Sequence, residues 1–334
     1  MSRTRGSIYE RFERHADRRF GEAAARYLAE FDGKPGSKRR AAQALEEVGP
    51  YISNHRLIDV DDEALLPFKE DRRLGRHPFK RPAMVGTINK SLTQVVTVLN
   101  KAAKVWRWIP MAPKIEHLRG AVRMAYPLTW DEQGRLGKCL PTGWDVGVLA
   151  FAINTGCRKE EIFGLKWSHR QWVPELDIKS EDGTVTERMY VFVLGETKNG
   201  HQRAVICNSI ARRAVEAQRV WQMKHVQSEF VFPSRHVGYL GSRVRGGSKC
   251  WENAWRAAGL PDTPLIKKGM HNARHTCGHR LRAVGCPQED RNAYLGHANS
   301  NLSEHYAASA LERLLHWGEL ITVRKETTVL RAVG

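Results

Sequence analysis

Four short segments of the chain carry residues able to bind an anion or move a proton. In Thr155-Gly156-Cys157-Arg158-Lys159-Glu160-Glu161-Ile162 an apolar helix stops at a Thr-Gly turn and a second helix opens, which places Arg158 near a helix N-terminus. Backbone N–H groups and a guanidinium make an anion pocket there, and Glu161, three residues on, can reach back to orient its neighbours. Lys198 stands at the tip of a turn, Thr197-Lys198-Asn199-Gly200, where its ammonium could protonate a leaving oxygen if the turn reaches a phosphate. In Met270-His271-Asn272-Ala273-Arg274-His275-Thr276, His271 and Arg274 share one helix face and could converge on a single anion. Leu295-Gly296-His297 is followed nine residues later by Tyr306, in a helix that Ser303 can cap. Singly, each segment also has a plainer reading: a solvated ion pair, a solvated turn lysine, a capping histidine beside a surface arginine, a packing tyrosine.

The elements that must hold these residues follow from the apolar periodicity. Ile88, Leu92, Val95, Val96, Leu99, Ala102 and Ala103 predict a helix over Thr87–Trp108, ended by Pro110 and Pro113, which closes an all-helical N-terminal unit. Leu66–Gly86 sets Pro67, Pro78 and Pro82 among Arg72, Arg73, Arg76, Lys80 and Arg81 without a period, and reads as an exposed basic loop suited to DNA. From Leu128 the pattern is helix, then a hairpin formed by Tyr190–Leu194 and Ala204–Cys207 around Asn199-Gly200. Helices follow over Met270–Leu315, broken at Gly285-Cys286-Pro287 and near Gly296–Ser300. The fold class expected is mainly α with a small β-hairpin or sheet.

Composition bounds the function. The 334 residues carry 54 Lys and Arg against 36 Asp and Glu, a formal charge of +18. The excess is shared, with residues 1–115 and 116–334 each holding a net +9, so a polyanion would be gripped by both halves. The longest apolar run, Val146–Ile153, is too short to span a membrane, and the Arg-rich stretch Met1–Phe20 lacks the apolar core of a secretory signal. Six scattered cysteines without a CxxC pair argue against a zinc ribbon or a disulfide framework. These features point to a cytoplasmic, nucleic-acid-binding protein of about two domains.

Taken together and in this order, Arg158, Lys198, His271, Arg274, His297 and Tyr306 resemble the catalytic set of the tyrosine recombinase family, in particular the phage-type integrases. The motifs TGCRKEEIFGLKW, TKNG, HNARHT and LGHANSNLSEHY carry the resemblance over Leu128–Leu315. Cys157 and Ala273 stand where leucine is common, both at apolar packing positions. Phe20–Leu65 with Thr87–Pro113 looks like the helical core-binding domain of such integrases. The resemblance implies a basic segment at 1–19, a helical core-binding (SAM-like) domain at 20–115, an α+β catalytic domain at 116–315 and a tail at 316–334 that docks in cis or is exchanged between protomers.

The resemblance also implies a reaction. Tyr306 would attack a DNA phosphodiester and form a 3′-phosphotyrosyl link, which conserves the bond energy without ATP. Arg158 and Arg274 would hold the non-bridging oxygens, with a further hydrogen bond from His297. Lys198 would act as general acid at the 5′-oxygen, His271 would assist proton transfer, and Glu161 would support. No metal or other cofactor is implied. The expected partners are double-stranded attachment or recombination sites, further copies in a homotetramer at synapsis, and accessory DNA-bending or directionality proteins. A type IB topoisomerase-like enzyme and a DNA-binding regulator with an inactive catalytic domain are the competing expectations.

Overall fold

A computed structural model describes residues 17–121, 124–195, 203–246, 249–263, 265–266, 269–297 and 308–324, which fall into two compact units divided between Val122 and Arg123. The N-terminal unit holds helices α1 (Phe20–Ala29), α2 (Pro35–Ile52), α3 (Leu66–Leu74) and α4 (Val85–Lys104). Each buries a stripe at helical spacing, such as Ala41, Leu45, Val48 and Ile52 on α2 and Ile88, Leu92, Val95, Leu99 and Ala102 on α4. Arg26 lies over the rings of Trp106 and Trp108, and Trp106 Nε1 donates to Glu30, which ties α1 to the chain leaving α4. The unit extends past residue 115, because Asp62 accepts from the Glu116 N–H and Asn89 both accepts from and donates to the backbone of Leu118.

The basic stretch at 66–86 is not one loop. Pro67 sits in the first turn of α3, where its missing N–H costs nothing, and Gly75 closes the helix in a left-handed cap at φ +68. Phe68 is fully buried against Tyr51 and Phe79.

The second unit opens with α5 (Trp130–Cys139), started by a reciprocal Thr129–Glu132 capping box. Helix α6 (Gly143–Thr155) runs through the largely apolar stretch Val146–Ile153 and packs against α8 (Ser209–His225) and α10 (Met270–Ala283). A short helix α7 (Lys159–Phe163) leads into an antiparallel sheet of order β1 (Arg170–Trp172), β4 (Tyr190–Leu194), β5 (Arg203–Ile206), in which Leu194 pairs with Arg203. Strands β2 (Ile178–Lys179) and β3 (Val185–Glu187) form a separate hairpin. Helices α9 (Lys249–Ala257), α11 (Gln288–Leu295) and α12 (Ala308–Leu320) complete the unit.

Helix α12 runs past Leu315, where the sequence suggests a tail, and Ile321 is 1% exposed. Asp290 of α11 accepts from Arg313 Nε at 3.1 Å and Trp317 Nε1 at 3.0 Å, and Asn208 donates to the Gly318 carbonyl at 2.7 Å. Residues 316–321 therefore belong to the body of this unit, while 325–334 lie outside the described residues. No described helix is long and apolar enough to cross a membrane.

Candidate active site

The site is built on the C-terminal end of α6. The carbonyls of Asn154, Thr155 and Gly156 lie past the last helical N–H, and three side chains from other elements meet them in succession. Tyr294 Oη donates to Asn154 O at 2.6 Å, Arg203 Nη2 to Thr155 O at 3.2 Å, and Arg274 Nη1 to Gly156 O at 2.7 Å. The partial negative charge of a helix C-terminus thus orients two guanidinium groups. Gly156 itself is left-handed, at φ +60, and a Cβ there would stand 2.4 Å from Leu295 Cδ2. Only glycine lets α6 end this close to α11.

Two residues on, Arg158 is the N-cap of α7. Its backbone N–H donates to Glu161 Oε2 at 2.8 Å and its Nη1 to Glu161 Oε1 at 2.7 Å, while Nη2 reaches Gly296 O at 3.4 Å. The carboxylate of Glu161 thus occupies the N–H at the head of the turn that the sequence suggests would be open to an anion. It is no solvated surface pair, because the Glu161 side chain is 11% exposed and also bonds Arg203 Nη1. Burial alone would raise its pKa, but the Arg203 charge and the Arg158 contacts outweigh burial and hold it below the ordinary carboxylate range.

Arg274, on the first turn and a half of α10, is 5% exposed, and its Nη2 has no hydrogen-bond partner among the described residues. Burial, with repulsion from Arg203 and Arg158, lowers its pKa to about 10. His297 follows α11, which Gly296 ends at φ +65, and its Nδ1 lies 3.2 Å from Asn292 Oδ1. Burial and the charges of Arg274, Arg158 and Arg203 hold its pKa below the usual value. His271 occupies the exposed start of α10, its ring edge-on to that of His275 at 4.8 Å between centroids.

Arg158, Glu161, Arg274 and His297 are therefore drawn together from three separate segments. Lys198 and Tyr306, and with them Ser303, lie outside the described residues. Of the basic residues at 72–81, Arg73, Arg76, Lys80 and Arg81 are exposed, whereas Arg72 is not free for a partner. Its guanidinium lies over the Phe79 ring at 4.7 Å and 3.4 Å from Glu47. Arg203 is the residue that the four-segment reading misses. A cation opening a strand next to a hairpin, in register with buried Val205 by period two, is the signal that marks it.

Among the described residues no group of three or more His, Cys, Asp or Glu could hold a metal ion. The structure is similar to that of a lambda integrase tetramer bound to a Holliday junction, at TM-score 0.61 and 14% identity, covering 90% of this chain and 84% of that one. It is similar to the Tn1549 transposon integrase in complex with transposon right end DNA, at TM-score 0.58 and 16% identity over 88% of this chain and 96% of that one. It also resembles XerH site-specific recombinase bound to its difH substrate, at TM-score 0.51 and 17% identity over 83% and 77%. A search of curated protein sequences finds no match. The sequence model of the phage integrase family matches residues 141–313, a span that holds Arg158, Arg274 and His297 together with Lys198 and Tyr306, and the chain belongs to that family.

Proposed function

We propose that this chain, a site-specific recombinase acting on DNA, breaks and rejoins strands through a 3′-phosphotyrosyl intermediate on Tyr306 and so integrates or excises a phage or mobile element. The Tyr306 oxygen attacks the scissile phosphorus as His271 takes up the phenol proton, the bond to the 5′-oxygen breaks, and Lys198 supplies the proton that the leaving oxygen takes up. A 5′-hydroxyl from a partner strand then reverses the step, so the phosphate bond is conserved throughout. Arg158 and Arg274 neutralise the non-bridging oxygens as charge grows on them, His297 adds a hydrogen bond, and His271 assists proton transfer. Glu161 supports these groups by holding Arg158.

The observation that supports this reading best is the Nη2 of Arg274, a buried guanidinium donor beside Arg158 and His297 that has no partner among the described residues. A phosphate oxygen satisfies such a donor and offsets the repulsion among the cations. The first unit, with exposed Arg73, Arg76, Lys80 and Arg81, serves as the helical core-binding domain. Four copies would assemble at synapsis, as lambda integrase does on a Holliday junction, with DNA-bending or directionality proteins as accessories and the nucleoid of the host cytoplasm as the place of action.

The test uses DNA from either side of the encoding gene, nicked next to the crossover so that the covalent complex is trapped. Wild type should yield a protein–DNA adduct mapped by mass spectrometry to Tyr306, and Tyr306→Phe should bind the same DNA without forming it. An adduct on another tyrosine, such as the 69% exposed Tyr239, would overturn the assignment. Efficient relaxation of a plasmid lacking any attachment site would favour a topoisomerase instead.

A further inference from the structure

We infer that Arg203 is a positioning residue for strand cleavage, holding the Arg158 turn and the His297 turn at a fixed spacing and sharing the Glu161 carboxylate with Arg158. The inference rests on the reading of Arg158 and His297 as groups that contact the scissile phosphate. Arg203 itself is 3% exposed and cannot serve as a phosphate clamp at the surface.

Its bonds define the role. Nη1 pairs with Glu161 Oε2, the same oxygen that accepts from the Arg158 N–H. Nη2 donates to Thr155 O, three residues before Arg158, and to Tyr294 O at 2.9 Å, three residues before His297. One planar guanidinium therefore joins the end of α6, the start of α7 and the end of α11. Its stem lies against Gly296, where a Cβ would stand 2.3 Å from Arg203 Cδ. Lysine cannot replace it, because an ammonium on a flexible stem lacks the fixed fork that reaches three acceptors at once.

Arg203 also sits where β5 begins, paired across the ladder with Leu194, so it closes the base of the segment that contains Lys198. The residue that fixes the Arg158 turn thus also opens the strand that follows Lys198 in sequence. Charge adds a second effect. His297 is faced by Arg158 from the α6–α7 turn, Arg203 from β5, Arg274 from α10 and the neutral Asn292 from α11, and all three cations disfavour its protonation.

Arg203→Lys, Arg203→Gln and Gly296→Ala are compared with wild type in the full chain, on the nicked attachment-site DNA. The readouts are thermal unfolding, DNA affinity and single-turnover adduct formation as a function of pH. DNA affinity should stay within a few-fold while both Arg203 variants form the adduct about 10- to 100-fold more slowly, as expected when catalytic groups are misplaced by an ångström. Arg203→Lys keeps the charge and should keep the wild-type pH profile, with a faster rate than Arg203→Gln. In Arg203→Gln the limb governed by His297 should move to higher pH. Gly296→Ala displaces the Arg203 stem without removing charge, so it should slow the adduct at an unchanged profile, and it serves if Arg203→Gln does not fold.

A folded Arg203→Gln or Gly296→Ala that cleaves at the wild-type rate would overturn the inference. Equal rates and equal profiles for the Lys and Gln variants would reduce Arg203 to a structural residue and overturn it too. Failure of the underlying reading is distinct, because wild type itself would then form no adduct on Tyr306.

Discussion

The hydroxyl of Tyr294 donates a 2.6 Å hydrogen bond to the carbonyl of Asn154, and the ring is fully buried. Burial pushes its pKa well up, so this tyrosine is a cap for the end of α6 and no nucleophile. Tyr294→Phe leaves that carbonyl without its donor and should lower stability by about 1–3 kcal/mol, measured by urea unfolding, with the site of covalent attachment unchanged.

Gly156 and Gly285 both have positive φ, but only Gly156 is crowded. Alanine at either position meets backbone strain of about 1–2 kcal/mol. Gly156→Ala must also displace Leu295 Cδ2, so its melting temperature should fall further than that of Gly285→Ala, for which no atom lies within 4 Å of the added methyl. Equal losses would mean that the α6–α11 approach is looser than described.

His297 titrates below its ordinary value in the free protein, because burial and three neighbouring guanidinium groups oppose its charge. The folded state then binds fewer protons than the unfolded state as pH falls through 6.5 towards the folded value, so this histidine's contribution to stability is present above 6.5 and is lost on acidification. An anion in the site reverses the balance. NMR titration of the His297 ring should show its pKa rising when a DNA duplex carrying the attachment site is added, and an unmoved value would place His297 away from the phosphate.

Asp290 holds α12, the helix that follows the segment containing Tyr306, through Arg313 and Trp317. Asp290→Ala should release that grip. Amide exchange over Arg313–Leu320 should speed up and adduct formation should slow, while DNA affinity stays near wild type. Slow exchange in the variant would assign the anchoring instead to Asn208, which donates to the Gly318 carbonyl, and to the Ser209 N–H, which donates to Glu319 of α12.

In the N-terminal unit, Arg72 and its exposed neighbours should separate by experiment. Arg72→Ala removes contacts with Phe79 and Glu47 and should lower the melting temperature of the unit. Lys80→Ala and Arg81→Ala should leave stability unchanged but each reduce the slope of log affinity against log salt by about one, if each contacts a phosphate.

The local parts of this site were legible in the residues alone. Glu161 reaching back to Arg158 is an i, i+3 relation, and the α4 stripe is a single-helix period. Arg203 escaped because its partners lie 42, 48 and 91 positions away, beyond any window in which periodicity operates. Helix α3 escaped for a different reason: Pro67 breaks a helix interior but starts a helix well, and the letters alone do not say which. Strand β1, three residues long with two of them exposed, offers no alternation to read.

The single carboxylate between Arg158 and Arg203 has a consequence for energetics. Among the described residues three guanidinium groups gather around one acid, so the free protein carries an excess of positive charge there under partial burial. A phosphodiester brings one negative charge at rest and concentrates more as its geometry becomes trigonal bipyramidal. With Arg158 and Arg274 holding the scissile phosphate as proposed, repulsion that weighs against the free protein would be relieved most at the top of the barrier, and the electrostatic imbalance would become a source of rate.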